Sequence, residues 1–309
     1  CEMCIRDRLC QALEKEFGKL KKMGGQILHY LAMTFDYRVE GQVSVTMEGY
    51  ILDCLRMARA LGRASIPATL YLFDIDEQSP LLNADDKAFF HTLVAKLYYL
   101  AKRVRPDILT ALSFLTTRVN APTLQDYGKL ERVLSYLSCT RGMGIVLRPA
   151  TGAVDVFGHV DASYAPHVNM KSQTGIVVTL GSGPVFVRSA KQGLVAKSSA
   201  EAELVALADG VTFVVWSREF LMEQGYVMGP ATIFQDNQAT IAMAKRGPTS
   251  SGNSRHIKIR YYFVKDLIDS KEVKLEYLST KSMLSDLLTK PLQGADFRRL
   301  RDALMNWAY

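Results

Sequence analysis

The spacing of hydrophobic residues divides the chain into a mainly helical first half and a mixed second half. The stretch QILHYLAMTFDYRVEGQVSVTMEGYILDCL, residues 26–55, predicts two short strands joined by a turn at Gly41, then a helix from about Glu48 to Ala60. Apolar residues three and four positions apart predict further helices at residues 86–104, 106–119 and 123–140. Because each of these helices has one apolar face, we expect the first half to form a helical bundle.

From about Gly142 the pattern changes to short β-rich runs that alternate with helices. A strand, a turn at Pro149 and Gly152, and a second strand ending at Asp161 come first. The later predicted elements, in order, are a hairpin around 181–183, a helix over 198–225, a strand over 231–236, a helix over 237–247, a helix over 256–269, a strand over 272–279 and a helix starting near 283. This order predicts a mixed α/β sheet domain that begins near Pro149.

Four acidic residues of the second half lie at predicted strand ends or on helices. They are Asp161, Glu203, Asp236 and Asp286. Carboxylates at strand ends of an α/β sheet face the crevice where such sheets bind ligands. Acids crowded together repel each other, so such a cluster calls for a cation, and Mg²⁺ prefers carboxylate oxygens. The four acids therefore predict metal-assisted phosphodiester hydrolysis.

Each acid also has an ordinary structural interpretation. Asp161 and Asp236 could close Asx turns or cap helices, because DASY and DNQA both suit such turns. Glu203 could be a solvated helix residue, and Asp286 could complement a helix dipole. Only the four acids together favour the catalytic interpretation.

Composition and charge narrow the possible classes of protein. The chain has 309 residues, 48% of them hydrophobic, so it is long enough for one large or two smaller domains. A formal net charge of +7 suits a nucleic-acid partner without requiring one. No stretch of about 18 uncharged apolar residues predicts a membrane span. Five cysteines without a zinc-ligand pattern favour a reducing compartment.

The motifs HVDASYA, KSQTGIVV, AKSSAEAELVAL, DNQATI, SRHIKIRYYFVKD and LSDLLTKPL resemble, in order and spacing, the ribonuclease H domain of copia-type retrotransposon Pol polyproteins. Residues 10–149 are similar to the thumb and connection of the family's reverse transcriptase, through LVAKLYYLAKRVRPDI and APTLQDYGKLERVLSYLSCTRGMGI. The resemblance implies an RNase H-like mixed five-stranded sheet with flanking helices over residues 150–309. A mainly helical thumb and connection region would precede it over residues 9–149.

The resemblance also implies an activity, which is cleavage of the RNA strand of an RNA/DNA hybrid with two Mg²⁺ ions, or Mn²⁺. Asp161, Glu203, Asp236 and Asp286 match the family's metal-binding acids. Expected partners are the hybrid and the rest of the Pol polyprotein, in a cytoplasmic virus-like particle or the nucleus and without a membrane. The family's paired polymerase aspartates have no match, because Asp85-Asp86 is predicted to open a helix. This chain alone is not expected to polymerise DNA.

Several polar and basic residues are candidates for contact with nucleic acid. In the second half they are Ser163, Lys171, Lys191, Lys197, Asn237, Gln238, Arg255 and His256. In the first half Lys19, Lys21, Lys22, Lys102, Arg103 and Arg105 could follow the duplex. His159 is interpreted as a core residue. A solvated basic face is the alternative for the lysines and arginines.

The segment EMCIRDR, residues 2–8, resembles the translation of a transposase mosaic-end adapter, so we expect residues 1–8 to be an artefact, with the natural N-terminus further upstream. Two rival functions stay open at this point. The first is a catalytically inactive nucleic-acid-binding remnant of a decayed element. The second is an integrase or nuclease of the same sheet architecture that acts on DNA.

Overall fold

A computed structural model describes residues 2–20, 24–149, 154–246 and 255–307, and no side chains for residues 2–6, 255 and 256. The helices are Glu2–Phe17 (α1), Glu48–Met57 (α2), Ala84–Ala101 (α3), Leu109–Thr116 (α4), Leu124–Cys139 (α5), Ser199–Glu223 (α6), Gln238–Arg246 (α7), Arg255–Asp269 (α8) and Gly294–Met305 (α9). The strands are Ile27–Tyr30 (β1), Met33–Asp36 (β2), Val43–Thr46 (β3), Ile145–Pro149 (β4), Phe157–Ser163 (β5), Gln173–Thr179 (β6), Gly181–Ser182 (β7), Pro184–Lys191 (β8), Ala231–Gln235 (β9) and Val273–Tyr277 (β10).

The first sheet is antiparallel, in the order β1-β2-β3-β4-β7. The sequence predicts two strands before the first long helix, whereas the structure has three. The chain reverses at Leu31 and Ala32, whose φ angles are 50° and 63°. Such hairpin turns usually contain Asn or Gly, which adopt positive φ readily, and neither residue type is present here. The prediction of two strands is therefore wrong, because the usual turn signal is missing.

Helices α3 and α5 begin where the polar residues before them predict. The Asn83 side chain accepts a hydrogen bond from the Asp86 backbone N–H at the start of α3. Thr123 and Asp126 form a capping box at the start of α5. The structure therefore confirms that Asp85-Asp86 opens a helix.

The first half also contains a fully buried ion pair. Arg105 and Asp107 have side-chain exposures of 0%, and Arg105 Nη2 lies 2.7 Å from Asp107 Oδ2. The hydroxyl of Tyr136 donates to the same oxygen at 2.6 Å. The prediction that Arg105 follows a nucleic-acid duplex is therefore wrong, because its guanidinium is used inside the core. Lys102 is also partly buried and donates to the backbone carbonyl of Val187.

The second sheet has the order β10-β9-β5-β6-β8. Strands β5, β6 and β8 pair antiparallel, while β9 pairs parallel with β5 and β10 parallel with β9. Helix α6 packs on one face, against Val160 and Ile176. A Cβ at Gly210 of α6 would lie 2.7 Å from Val160 Cγ2, so glycine permits this close packing of helix and sheet.

The first half of the chain covers the opposite face of the second sheet. Val177 and Val187, which point to that face, belong to the same buried cluster as Phe114 and Leu115. Helix α9 joins this cluster through Phe297 and other apolar residues. The proposed domain boundary near residue 150 stays a prediction. Among the described residues, no helix combines the length and the hydrophobicity that a bilayer span requires.

Candidate active site

Asp161 lies on the central strand of the second sheet and is almost fully buried. The sequence predicts it at the strand end, but β5 continues for two more residues to Ser163. Its exposed fraction is 1%. The Thr289 hydroxyl donates to Asp161 Oδ2, and Lys290 Nζ lies 3.5 Å from the same oxygen. Asp161 is therefore a buried carboxylate surrounded by polar partners rather than a turn former.

Asp286 reaches the same place from a short segment near the C-terminus, here called the acid segment and defined as residues 284–290. Its first five residues, Leu284–Leu288, form a 3-10 helix. The sequence pattern predicts the start of an α-helix here, and that prediction is wrong. Lys290 Nζ lies 2.7 Å from Asp286 Oδ1. Lys290 thus lies between two acids and partly balances their charge.

Gly175 gives the acid segment room to lie on the sheet. It is the register partner of Asp161 on β6. A Cβ at this position would lie 2.6 Å from the Ser285 backbone oxygen and 2.7 Å from Thr289 Cγ2. Because a backbone oxygen cannot move without its chain, any side chain here would displace the segment that carries Asp286.

Replacing Gly175 with Ala is expected to lower the free energy of unfolding by about 1–3 kcal/mol, the usual cost of overpacking. Gly128 is a matched control, because it lies within α5 and a Cβ there would meet nothing within 4 Å. Gly128→Ala should instead stabilise the chain by up to about 1 kcal/mol through helix propensity. Urea denaturation measures both changes, and equal effects of the two substitutions would contradict the close approach.

Glu203 and Asp236 complete the group of predicted acids. Glu203 lies in the second turn of α6 with 4% exposure, and the Gln235 side-chain amide donates to its Oε2 at 3.2 Å. Asp236 directly follows β9 and is partly exposed. The Thr280 hydroxyl donates to Asp236 Oδ2 at 2.7 Å.

Three of the four carboxylates meet closely. One oxygen each of Asp161, Asp236 and Asp286 can be chosen so that all three lie within 4.8 Å of one another. Glu203 and Asp236 line an open cavity of about 630 Å³ together with Asp161 and Lys290. The structure therefore brings acids from four separate elements to one end of the sheet.

Crowding and burial change the protonation of these acids in the metal-free chain. Burial, with the nearby Asp161 and Asp236, raises the pKa of Glu203 to about 9. Burial and Asp161 raise the pKa of Asp286 to about 7. Burial lowers the pKa of Lys290, but Asp161 and Asp286 outweigh it and raise that pKa overall. Like charges held this close, with oxygen donors only, fit a hard divalent cation such as Mg²⁺.

The metal-free chain is expected to lose stability as the pH rises. A carboxyl group whose pKa is raised by folding stabilises the folded state at low pH, and this contribution is lost as the pH rises through the folded-state value. For Glu203 the interval runs from its ordinary value of 4.5 to about 9. In EDTA, the thermal midpoint should decrease as the pH rises from about 5 to about 9. Glu203→Gln should make this decrease smaller.

Glu201→Gln is the control for this experiment, because Glu201 lies two residues away on α6 and is not part of the cavity lining. It should leave the slope unchanged. Mg²⁺ added at high pH should raise the midpoint of the unsubstituted chain, because a cation that binds only the folded state stabilises it. A midpoint that rises with pH in EDTA would contradict the assigned protonation.

Several of the predicted nucleic-acid contacts lie at the same end of the sheet. Ser163, Asn237 and Gln238 line the cavity. Lys191 pairs in register with Gln173, which pairs with Ser163, so it lies on the row of the sheet that ends β5.

The basic residues predicted to contact nucleic acid differ in their surroundings and exposure. Burial and the neighbouring charges of Lys171 and Arg118 lower the pKa of Lys191, so these cations lie near one another. Lys197 is exposed just before α6. The side chains of Arg255 and His256 lie outside the described residues, as do Lys21 and Lys22.

Lys290, Thr289 and Thr280 are site residues that sequence reasoning misses. A lysine four positions after Asp286 is the available signal, but the acid segment is not an α-helix, so spacing alone does not place it. His159 is buried, and its ring centroid lies 5.0 Å from that of Phe234. Its burial confirms the interpretation as a core residue, and the same burial lowers the pKa of His159 to about 4.

The strand order and the acids define the class of protein. Three antiparallel strands extended by two parallel strands, with a long helix across one face and acids gathered at one end, form an RNase H-like fold.

Comparison with known proteins shows similarity to the Pol polyproteins of plant transposons. The chain is 30% identical over 279 residues to the retrovirus-related Pol polyprotein from transposon RE1 of Arabidopsis thaliana, and 29% identical over 276 residues to that from transposon RE2 of the same plant. Each match covers 88% of this chain and 18% of the relative. The chain is therefore similar to retrovirus-related Pol polyproteins of transposons, and it spans about a fifth of their length.

No family model matches the chain. A foamy viral protease-reverse transcriptase, solved in complex with RNA/DNA hybrid, is similar over 88% of this chain and 31% of that chain, with 11% identity and a TM-score of 0.47.

Proposed function

We propose that this chain is a retrotransposon ribonuclease H that hydrolyses the RNA strand of RNA/DNA hybrids. The observation that carries the proposal is the meeting of Asp161, Asp236 and Asp286 within 4.8 Å at one end of an RNase H-like sheet. Asp161 and Asp286 are buried, and burying carboxylates with no catalytic use would be costly, because each charged group loses its hydration. The similarity to Pol polyproteins supports a substrate that arises during reverse transcription.

Two Mg²⁺ ions are proposed to be held by Asp161, Glu203, Asp236 and Asp286. When bound, these ions would supply the positive charge that activates water for attack on the phosphodiester and stabilises the leaving oxygen. Thr289 and Thr280 orient the acids by donating hydrogen bonds to Asp161 and Asp236. Lys290 contributes a fixed positive charge beside Asp161 and Asp286. The open cavity lets a polymer backbone reach these groups from solvent.

Recognition of the hybrid is proposed to use the polar wall of the cavity and the lysines beside it. Ser163, Asn237 and Gln238 offer hydrogen-bonding groups next to the acids, and only RNA presents 2′-hydroxyls to them. Lys171 and Lys191 lie at the same end of the sheet and suit phosphate contacts. Such contacts position the substrate without reading its sequence.

The first half of the chain is proposed to be the thumb and connection region of a reverse transcriptase. Asp85 and Asp86 belong to the first turn of α3, and Asp86 pairs with Arg59. A helix start of this kind complements the helix dipole and does not form a polymerase site. Polymerisation is therefore assigned to the longer Pol polyprotein, which is also the proposed partner.

The experiment is a cleavage assay on three duplexes of one sequence: RNA/DNA hybrid, DNA duplex and RNA duplex. With Mg²⁺, the chain should cut only the RNA strand of the hybrid, and EDTA should stop the reaction. Equal cutting of DNA duplex and hybrid would favour a DNA nuclease of the same fold instead. Binding of the hybrid without cleavage would favour an inactive remnant.

A further inference from the structure

The acid segment lies between the second sheet and the first half of the chain and contacts both. Leu287 and Leu288, which directly follow Asp286, are buried in the cluster that contains Phe114 and the other core residues of the first half. Val160, which precedes Asp161, belongs to the second cluster. The position of Asp286 therefore depends on contacts of the acid segment with the first half of the chain as well as with the second sheet.

A single hydroxyl forms a direct polar link between the two halves at this point. Thr110, on α4, donates to the backbone carbonyl of Leu287 at 2.6 Å, and both groups are buried. A threonine within a helix often bonds to a carbonyl of its own preceding turn. Thr116 on the same helix does so, with Ser113 as acceptor. The Thr110 hydroxyl instead bonds to the residue that follows Asp286.

A second chain of hydrogen bonds fixes the next carbonyl. The Ser189 hydroxyl donates to the Leu288 carbonyl at 2.6 Å. The Gln173 side-chain amide donates to Ser189 at 2.8 Å and to Ser113 of α4 at 3.0 Å. Two consecutive carbonyls after Asp286 are thus held by groups that connect α4 to the sheet.

We propose that Thr110 is a positioning residue for the cation site, acting through Asp286, so that the reverse transcriptase portion of the chain helps to build the ribonuclease H site. The proposal rests on the proposed function in taking Asp286 as a cation ligand and the first half of the chain as part of a reverse transcriptase. Groups that orient metal ligands without touching the metal typically change affinity by about 10- to 100-fold when they are removed. Thr110 bonds to the carbonyl of Leu287, the residue directly after the proposed ligand Asp286.

The test measures Mn²⁺ affinity of the full chain by calorimetry. Thr110→Val keeps the size of the side chain and removes the donor, and it should weaken binding by about 10- to 100-fold. Thr110→Ser keeps the donor and should restore affinity to within about threefold of the unsubstituted chain. Thr116→Val is the matched control, because its hydroxyl bonds within α4, and it should leave the affinity unchanged.

A double substitution separates positioning from a general loss of stability. If Thr110 acts through Asp286, Thr110→Val should add no further loss of Mn²⁺ affinity in a chain that already carries Asp286→Asn. Backbone amides of residues 286–290 should exchange faster in Thr110→Val, while those of β5 keep their protection. A purely structural role would lower the thermal midpoint and leave the affinity of the folded chain unchanged.

The outcomes separate this proposal from the proposed function. Unchanged affinity in Thr110→Val, or an equal loss with and without Asp286, overturns the positioning role and leaves the function standing. An unsubstituted chain that binds Mn²⁺ but does not cut the hybrid overturns the function alone. A chain that binds no Mn²⁺ overturns both.

Discussion

Asp236→Asn is expected to lower the rate of hybrid cleavage by about a thousandfold or more, because losing several kcal/mol of charge stabilisation at a catalytic metal site corresponds to that factor. The fold should survive the change. Asp236 is partly exposed at the end of β9, and an Asn oxygen can still accept the hydrogen bond from Thr280. Single-turnover cleavage of a hybrid with a labelled RNA strand measures the rate, and circular dichroism checks the fold.

Asp269→Asn is the control for this loss of activity. Asp269 is 59% exposed at the end of α8, where it pairs with Lys265. The Asp269→Asn chain should therefore cleave the hybrid at the rate of the unsubstituted chain. A large loss in Asp236→Asn alone would place that carboxylate in the reaction. Unchanged cleavage in Asp236→Asn would show that the cluster at the sheet end is not the reactive site.

The sequence predicts the second sheet more completely than the first because its signals are local. The acids follow or interrupt strongly apolar runs, and the long helix α6 begins at the predicted cap Ser198. The strand break at Leu31 and Ala32 has no such signal, because neither residue favours the positive φ that it adopts. The sequence pattern therefore predicts a single strand where the structure has β1 and β2.

The site is predictable as a set of residues but not as a geometry. Asp161, Glu203, Asp236 and Asp286 stand out through the motifs that contain them. Their distances depend on contacts between residues far apart in sequence, such as the close approach of Ser285 to Gly175. Lys290 enters the site for the same reason.

Arg105 shows how a local reading of charge can mislead. It stands beside Lys102 and Arg103, so the sequence indicates an exposed basic stretch. Its burial depends on Asp107, two residues later, and on Thr140 at the end of α5. Tyr136 of α5 supports the pair by donating to Asp107. An arginine can be buried when its donors are paired in this way.

Asp107→Asn is expected to lower the free energy of unfolding by about 3–5 kcal/mol, because it leaves the buried Arg105 guanidinium without its counter-charge. The two side chains make paired bonds of 2.9 and 2.7 Å. Domains of this kind are typically stable by about 5–15 kcal/mol, so the variant should lie close to unfolding. Urea denaturation measures the loss. Asp296→Asn, which disrupts an exposed pair with Arg299, should cost no more than about 1 kcal/mol.

A double substitution distinguishes a need for the ion pair from a need to balance its charges. Arg105→Met with Asp107→Leu removes both charges and keeps apolar volume, and such replacements are often neutral or stabilising. Here the Tyr136 hydroxyl loses its acceptor, since it donates to Asp107, so recovery should be incomplete by about 1–3 kcal/mol. Adding Tyr136→Phe removes the hydroxyl that has lost its acceptor, but it also removes the acceptor of Arg301 Nη1 at 3.4 Å, so it should restore only part of the remainder. If the triple variant stays as unstable as Asp107→Asn, the bonds from Arg105 to Thr140, at 2.9 Å to its carbonyl and 2.8 Å to its hydroxyl, are the essential contacts. Charge balance would then be secondary to holding the end of α5.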